Sequence, residues 1–240
     1  MQKLLPVAPE SSGFSLPERQ SFFGLKNHQS RIKDAYRGRC RVAMWPQHRL
    51  LYLRLPKCGN SSIMAALPNP EQKRLRQSVL SDSFQNWITF TFVRNPWSRL
   101  VSTYKQKVAE GATTSRLRGG VYEGFQERGI PVYSGMSFVE FCEMACSFTD
   151  DFTDKHLRSQ SYSLIYKGTP VVREVGHLET IDEDWRRIAE RAGITQEIPR
   201  LNASAGPHVH YREYYRDNRL VNLVGDRYAS DIANFNYDFQ

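Results

Sequence analysis

The sequence contains little cysteine, and its four cysteines have no spacing that is typical of a metal site. Cys40, Cys58, Cys142 and Cys146 include no CxxC pair and match no zinc-binding pattern. Cys142 and Cys146 are one helical turn apart, which favours a shared buried helix face over a pair of metal ligands. We therefore expect no bound metal and a reducing compartment.

Long hydrophobic runs are also missing. The N-terminal stretch MQKLLPVAPESSGF breaks at Pro6 after two leucines, unlike the apolar core of a signal peptide. No segment approaches the roughly 20 apolar residues of a membrane-spanning helix. These absences predict a soluble, cytoplasmic protein with no integral membrane span.

The chain has enough apolar residues to form one hydrophobic core, and it carries an excess of positive charge. Its 240 residues, 40% hydrophobic and 12% aromatic, fit a single α/β domain and exclude a mostly disordered chain. Prolines at 6, 9 and 17 indicate a loosely ordered N-terminal arm over residues 1–30, followed by one domain over residues 31–240. The net charge of +8 favours an anionic partner such as nucleic acid, a doubly phosphorylated nucleotide or an acidic glycan, although it could serve solubility alone.

Short apolar segments alternate with helical patterns along residues 49–239. Strands are predicted at RLLYLRLP from Arg49, at 87–93, at YSLIY and at VVREVGHLE. Helices are predicted after Pro96, at 137–145, at 181–193 and through most of the tail from Tyr211, with a long surface loop at 110–136. This alternation predicts an α/β fold with a central parallel sheet flanked by helices.

The first candidate binding segment is Pro-Lys-Cys-Gly-Asn-Ser-Ser at 56–62, between a predicted strand and a predicted helix. Backbone N–H groups converge on an anion at such a turn, Gly59 permits close approach, and Ser61 and Ser62 add hydroxyl donors. Lys57 precedes the glycine, so the segment is not a Walker A motif. The alternative is an ordinary turn beside an unrelated lysine.

The second candidate segment is FVRNPWSRLVSTY at 92–104, where Arg94 leaves a predicted strand and Ser102 follows within a helix. Arg99 and Ser102 are one turn apart, so Ser102 can face back towards the end of the strand. Arg94 and Ser102 would then form a clamp suited to a phosphate. The alternative is an arginine paired with a carboxylate and a serine on the helix surface.

Together, and in this order, the two segments resemble the 5′-phosphosulfate loop and the 3′-phosphate motif of the sulfotransferase superfamily. These enzymes use 3′-phosphoadenosine 5′-phosphosulfate (PAPS). The runs DKHLRSQ…VGHLET and Y…D…FNYDF are similar to those of the Golgi-type carbohydrate sulfotransferases, the sulfotransferase family 2-like group. Leu157 stands where that group usually has tryptophan. Animal members have a membrane anchor and stem, which this sequence does not show, so their Golgi location is not carried over.

The resemblance implies a P-loop-like three-layer sandwich that moves the sulfuryl group of PAPS to a hydroxyl, of a carbohydrate for instance, by in-line displacement that releases PAP without a metal. Lys57 would contact the bridging oxygen of the phosphosulfate. The implied nucleotide-binding residues are Lys57, Cys58, Gly59, Asn60, Ser61 and Ser62 for the 5′ end, Arg94, Ser102 and, more weakly, Arg99 for the 3′-phosphate, and Asn202 and Ser204 in a closing loop.

The acceptor hydroxyl also needs a general base. His156, within the family-like run, is the first candidate, and Glu179 is the second because carboxylates serve this purpose in some related enzymes. Glu179 could instead pair with an arginine or orient a loop.

Two other functions stay open at this stage. A P-loop kinase or nucleotide-binding protein is disfavoured by the missing Walker spacing and by the lack of an acidic strand end for magnesium. A non-catalytic module for anionic glycans or nucleic acid would use the basic charge and the tyrosines of segment 211–216. Lys57, Arg94 and Ser102 together favour an enzyme, with PAPS or PAP and a hydroxyl acceptor as partners rather than nucleic acid.

Overall fold

The computed structural model describes residues 39–109, 135–199, 201 and 209–239. The chain divides into two units, Met1–Gly38 and Arg39–Gln240, and the described residues all belong to the second. The predicted arm over residues 1–30 and most of the predicted 110–136 loop lie outside the described residues, so both stay predictions.

The described residues contain seven β-strands and eight α-helices. The strands are β1 (Arg39–Trp45), β2 (Leu50–Leu53), β3 (Glu71–Arg76), β4 (Ile88–Val93), β5 (Ile165–Tyr166), β6 (Thr169–Pro170) and β7 (Glu174–His177). The helices are α1 (Asn60–Ala66), α2 (Gln77–Ser83), α3 (Pro96–Lys107), α4 (Phe138–Ser147), α5 (Gln160–Leu164), α6 (Ile181–Arg191), α7 (Asn218–Arg227) and α8 (Ala229–Phe235).

Five strands form the main sheet in the order β3-β1-β2-β4-β7, and β5 pairs with β6 in a separate hairpin. β2 and β4 are parallel, and so are β4 and β7. β1 is antiparallel to both β2 and β3, so it alone runs against the other four strands. The α/β class with a mainly parallel sheet flanked by helices is confirmed, and the carboxyl ends of β2, β3, β4 and β7 share one edge.

Two apolar clusters hold these elements together. The first lies along the sheet, where the fully buried rings of Tyr52 and Phe90 stack with centroids 4.9 Å apart and Trp185 of α6 packs on Phe90. The second joins α3, α4 and α7, and Leu157 is fully buried within it. Leu157 is therefore a core residue of the domain.

The helices predicted after Pro96, at 137–145 and at 181–193 are confirmed with ends that differ by one or two residues: α4 covers Phe138–Ser147, after a capping box between Ser137 and Glu140, and α6 covers Ile181–Arg191. The strand predicted at YSLIY is wrong for its first three residues, which belong to α5. The Asp231 carboxylate accepts from the amides of Gln160 and Ser161 at 2.8 and 2.7 Å, and these contacts start a helix there. β1 and β3 were not predicted. β3 is a largely exposed edge strand of charged residues with no apolar alternation, and β1 lies between it and β2.

Candidate active site

The first candidate loop connects β2 to α1 at the carboxyl edge of the sheet. Lys57 and Gly59 both have positive φ, 71° and 77°, in the left-handed region. A Cβ on Gly59 would lie 3.1 Å from side-chain carbons of Leu178 and Ile181. The left-handed backbone angle and the tight contacts with these two side chains both favour glycine at position 59.

Polar side chains of this loop hold its shape from inside. The Asn60 Oδ1 accepts from the Tyr52 hydroxyl at 2.7 Å, and its Nδ2 donates to the Leu55 carbonyl at 2.6 Å. The Cys58 thiol is buried and donates to Gln160 Oε1 at 3.2 Å. Burial raises the pKa of Cys58 to about 11, so it stays a neutral thiol. Cys58 and Asn60 thus shape the loop with their side chains, and only their backbone groups can face a ligand.

The other residues of the loop differ in exposure. Ser61 is exposed, whereas Ser62 is buried and its hydroxyl oxygen accepts from the Leu201 amide at 3.2 Å. Ser62 therefore connects the loop to the segment that carries Asn202 and Ser204, and these two residues lie outside the described residues.

The Lys57 side chain extends from the first loop to α3. Its Nζ donates to Gln106 Oε1 at 3.0 Å, and its carbonyl accepts from Arg94 Nη1 at 3.5 Å. Gln106 and Ser102 are one turn apart on α3, so Ser102 is on the helix face that meets Lys57. The structure thus brings Lys57, Arg94 and the Ser102 face of α3 to one place.

Arg94 follows directly after β4 and is largely withdrawn from solvent. Its Nε donates to Ser98 Oγ at 3.0 Å, and its other described side-chain hydrogen bond goes to the Lys57 carbonyl. Burial lowers the pKa of Arg94, yet a guanidinium stays charged at neutral pH. Within the described residues, the Arg94 side chain donates hydrogen bonds only to neutral oxygens, those of Ser98 and of the Lys57 backbone. Because these partners do not neutralise the guanidinium, its positive charge is suited to an anionic ligand.

Arg99 has a different environment, since its side chain donates to three backbone carbonyls. Nε reaches Pro56 at 3.2 Å, Nη1 reaches Arg158 at 2.7 Å and Nη2 reaches Lys155 at 3.4 Å. Only 3% of Arg99 is exposed. It therefore ties the Lys57 loop to the turn that carries His156, rather than presenting its guanidinium to a ligand.

Gln160 joins the ends of β2 and β4. Its Oε1 accepts from the Arg94 amide at 2.8 Å as well as from Cys58, and its Nε2 donates to the Arg94 carbonyl at 2.9 Å. Asp231 of α8, fully buried, also accepts from Nε2 at 3.2 Å. The buried Gln160 amide therefore links the two candidate loops, in addition to the contacts that Arg94 and Arg99 make with the first loop.

His156 and Asp154 form a buried pair next to this junction. The His156 Nδ1 and Asp154 Oδ1 are 2.5 Å apart, and the two side chains are 13% and 10% exposed. Burial lowers the pKa of His156, and the Asp154 carboxylate opposes that shift. The imidazole is therefore neutral at pH 7, and a proton on Nδ1 shared with Asp154 leaves Nε2 as its basic atom.

Glu179 uses both carboxylate oxygens to support the second loop. Oε1 accepts from the Asn95 amide at 2.8 Å, and Oε2 accepts from the Tyr237 hydroxyl at 3.1 Å. The Asn95 side chain in turn donates to the Asp238 carbonyl at 2.8 Å. Glu179 thereby connects the start of α3 to the C-terminal segment. This contact pattern agrees with the alternative, stated in the sequence analysis, that Glu179 orients a loop.

Four residues of this site were not singled out from the sequence: Gln106, Asp154, Gln160 and Asp231. Asp154, Gln160 and Asp231 stand in the runs that resemble the carbohydrate sulfotransferases, so a signal existed for them. Gln106 had none, because its only distinction is a position one turn beyond Ser102.

The structure thus defines an α/β domain with two strand-end loops, one lysine-bearing and one arginine-bearing, joined at the carboxyl edge of a mainly parallel sheet. Residues 41–238 match the family model described as Sulfotransferase family, so the chain belongs to the sulfotransferase family. This membership supports sulfuryl transfer as its general activity. No curated protein and no solved structure matches the chain.

A search of the described residues for a membrane-crossing helix found none with the length and apolar character that such a span requires.

Proposed function

We propose that the protein transfers the sulfuryl group of PAPS to a hydroxyl of a carbohydrate acceptor and releases PAP. The observation that carries this proposal is the meeting of the two strand-end loops, where Arg94 Nη1 reaches the Lys57 carbonyl at 3.5 Å and Gln160 contacts both loops. A nucleotide with phosphates at both its 5′ and 3′ ends needs two such cationic sites at a fixed separation.

The donor fits the charge and shape of these loops. The backbone of residues 57–62 and the Ser61 hydroxyl meet the 5′-phosphosulfate, which Gly59 allows to approach closely. Arg94 and Ser102 bind the 3′-phosphate, because a guanidinium supplies two parallel donors to such a group. Arg99 holds the first loop in place through its hydrogen bonds to backbone carbonyls. Cys58 and Asn60 contribute backbone groups to the binding of the 5′-phosphosulfate.

The reaction is an in-line displacement at sulfur. The acceptor oxygen forms a bond to sulfur while the bond from sulfur to the bridging oxygen breaks, and that oxygen leaves on PAP. Lys57 Nζ stabilises the negative charge that develops on the leaving oxygen. Gln106 holds this ammonium group at 3.0 Å, so it is positioned before the donor binds.

His156 accepts the proton of the acceptor hydroxyl at Nε2. This role is supported by the Asp154 contact at Nδ1, which orients the ring, and by burial that keeps the imidazole neutral. Glu179 is the weaker candidate, because both of its oxygens already accept hydrogen bonds from the second loop and the tail.

The test is a transfer assay with sulfur-labelled PAPS against panels of glycans, phenols and lipid alcohols, with ATP and magnesium as the competing donor. Label on a glycan, inhibited by added PAP, is the expected result. Label only on phenols or lipids would overturn the acceptor class. Phosphate transfer from ATP without sulfate transfer would overturn the donor.

Binding provides a second test. PAP should raise the melting temperature by several degrees at saturating concentration, because it binds the native state only. ATP with magnesium lacks a 3′-phosphate and should have much less effect.

A further inference from the structure

Three arginines lie side by side at the carboxyl edge of the sheet, outside the two strand-end loops that we propose bind the donor, which are residues 56–62 and 94–98 and are called the donor loops below. Arg41 of β1 is directly opposite Arg74 of β3. Arg54 follows β2, and its amide donates to the Arg41 carbonyl at 2.9 Å, so it continues the pairing on the other side. Residues directly opposite each other in an antiparallel pair point to the same face of the sheet. We call Arg41, Arg54 and Arg74 the basic row.

Like charges placed this way repel each other. Burial is the largest cause that lowers the pKa of Arg41, and the charges of Arg74 and then Arg54 lower it further. Directly opposed like charges destabilise a sheet, so the arrangement carries a cost in the folded protein. An anion bound across the row would remove that cost.

The positive surface continues towards the candidate base. Lys155 directly precedes His156, and its pKa is lowered by burial and then by the charge of Arg41. Lys107, at the end of α3, acts on both Lys155 and His156. Asp154 is the acidic group that acts on Arg41 and Lys155, and it already contacts His156.

The row also shares an edge with the donor loops. Arg54 is three residues before Lys57, and Arg99 ties the carbonyls of Pro56 and Lys155 together. The basic row is therefore connected to the His156 turn through Lys155. An acceptor whose hydroxyl reaches His156 would place neighbouring substituents near this row.

We propose that the basic row binds a carboxylate or sulfate group carried by the acceptor, and that Arg41 and Arg74 make the enzyme selective for acidic glycans over neutral ones. This inference rests on the proposed sulfotransferase function and adds to it the charge of the acceptor. Arginine suits the role because its planar fork pairs with both carboxylate and sulfate oxygens.

Nucleic acid is a less suitable occupant. Binding of single strands uses exposed aromatic rings on which bases stack. The tyrosines of segment 211–216 do not offer such a platform, since Tyr215 is 7% exposed with its hydroxyl on the Trp97 carbonyl at 3.0 Å. Tyr214 packs edge-to-face on Phe138 with ring centroids 5.2 Å apart.

A direct binding experiment tests the row without requiring turnover. A fluorescent hexasaccharide of uronic acids, its carboxyl-reduced counterpart and a labelled oligonucleotide are titrated into the full-length protein at low and moderate salt. We expect the acidic hexasaccharide to bind at least tenfold more tightly than the reduced one. The double variant Arg41→Gln/Arg74→Gln should lose this difference.

Arg173→Gln is the matched control, because it removes the same charge from an exposed arginine at the opposite, amino end of β4. It should keep the difference between the two saccharides. The melting temperature of the double variant should equal or exceed that of the wild type at low salt, because a like-charge contact is removed. Equal binding of both saccharides by the wild type, or an unchanged preference in the double variant, would overturn the proposal, and so would equally tight oligonucleotide binding.

Transfer assays then separate this inference from the proposed function. With PAPS as donor, the double variant should show a raised KM for the acidic acceptor, with little change for the reduced one and in PAP affinity. If the acidic hexasaccharide binds through the row but no sulfate is transferred to any acceptor, the proposed function fails while the binding site stands. If transfer occurs with equal kcat/KM on both acceptors, the binding site fails while the proposed function stands.

Discussion

The donor loops and the basic row lie at the same edge of the sheet, but their charged groups have different neighbours. In the donor loops, Lys57, Arg94 and Arg99 all donate to neutral oxygens from backbone, hydroxyl or amide groups. In the basic row, Arg54 also donates to a neutral oxygen, that of Gln72, but Arg41 lies between Arg54 and Arg74, so each of its neighbours in the row is a cation.

This contrast indicates that one site can contain charged side chains held in place by hydrogen bonds and others that are freer to move. The proposed donor has one structure, so its binding groups gain from being fixed beforehand by neutral partners. The proposed glycan acceptor varies along its length, and the long side chains of the row can adjust to the anion they bind. The predictions below alter the donor side or the His156 side of the site and measure nucleotide binding and turnover separately, while the basic row is tested by the saccharide titrations described above.

The largest expected effect comes from His156, on the acceptor side. His156→Ala should lower kcat by about two to four powers of ten, the usual contribution of a general base, with PAP affinity nearly unchanged. Steady-state kinetics and PAP titration measure the two quantities. A His156→Ala enzyme that keeps wild-type turnover would refute the assignment of the base.

The pH profile sharpens this prediction. Because burial lowers the pKa of His156 from its ordinary value of 6.5, the acidic limb of the rate profile should lie below pH 6.5. Asp154→Asn removes the carboxylate that raises this pKa, so the limb should move to still lower pH while kcat falls. A limb that stays in place would mean that another group titrates.

The same burial links His156 to stability. The unfolded chain binds a proton near pH 6.5 and the folded protein binds it only at lower pH, so the free energy of unfolding should decrease as the pH falls through that interval.

Lys57 should give the next largest effect, on the donor side. Lys57→Ala should lower kcat by about two to three powers of ten, because the charge on the leaving oxygen loses its partner. PAP affinity should fall much less, since the backbone of the loop remains. Gln106→Ala is the companion variant: it frees the ammonium group without removing it, and should produce a smaller loss of kcat.

A loss of PAP affinity in Lys57→Ala as large as its loss of kcat would contradict this division of roles.

Gln160 tests whether the two donor loops act as one unit. Gln160→Ala leaves the Arg94 amide and the Asp231 carboxylate with fewer partners, which should cost about 1–3 kcal/mol of folding free energy and weaken PAP binding. Denaturant unfolding and PAP titration measure both changes. Gln77→Ala is the control, because this amide also donates to backbone carbonyls but outside the site.

If Gln160→Ala and Gln77→Ala bind PAP equally well, the spacing between the loops does not depend on Gln160.

Glu179 should give the smallest effect. Glu179→Gln keeps one carbonyl oxygen for the Asn95 amide, so we expect a small fall in melting temperature and less than a tenfold change in kcat. Removal of the acidic limb by Glu179→Gln, with the limb intact in His156→Ala, would reverse the two roles.

The sequence predicted the central part of the fold because local signals there agree with the tertiary structure. The apolar runs of β2 and β4 and the start of α3 at Pro96 combine β propensity with a helix-starting proline, and Asn95 caps α3 through the amides of Trp97 and Ser98. α5 has a local N-cap, since the Ser159 side chain accepts from the Tyr162 amide, but the amides of Gln160 and Ser161 are bound by Asp231, about 70 residues further along the chain. The cap was a local signal that the strand prediction missed, whereas the Asp231 contacts depend on the tertiary fold.

The candidate site divides in the same way. Lys57, Gly59 and Arg94 stand at strand ends, where sequence patterns are informative, and the structure brings them together. Arg99 was expected as a weaker phosphate ligand, but its guanidinium donates to three backbone carbonyls instead. These carbonyls come from two loops that are distant in the sequence, so no local pattern could show this role. The basic row could not be predicted, because the opposition of Arg41 and Arg74 depends on the pairing register of β1 with β3.

The measurement that tests the central claim most directly compares PAP with 5′-AMP, which lacks the 3′-phosphate, in calorimetric titrations of the wild type and of Arg94→Gln. The account predicts that the wild type binds PAP at least tenfold more tightly than 5′-AMP, because the guanidinium contributes a charge-assisted phosphate contact. Arg94→Gln should remove most of that difference while its affinity for 5′-AMP stays near that of the wild type. Equal affinity of the wild type for the two nucleotides, or an unchanged preference in Arg94→Gln, would contradict a PAPS donor site built from these two loops.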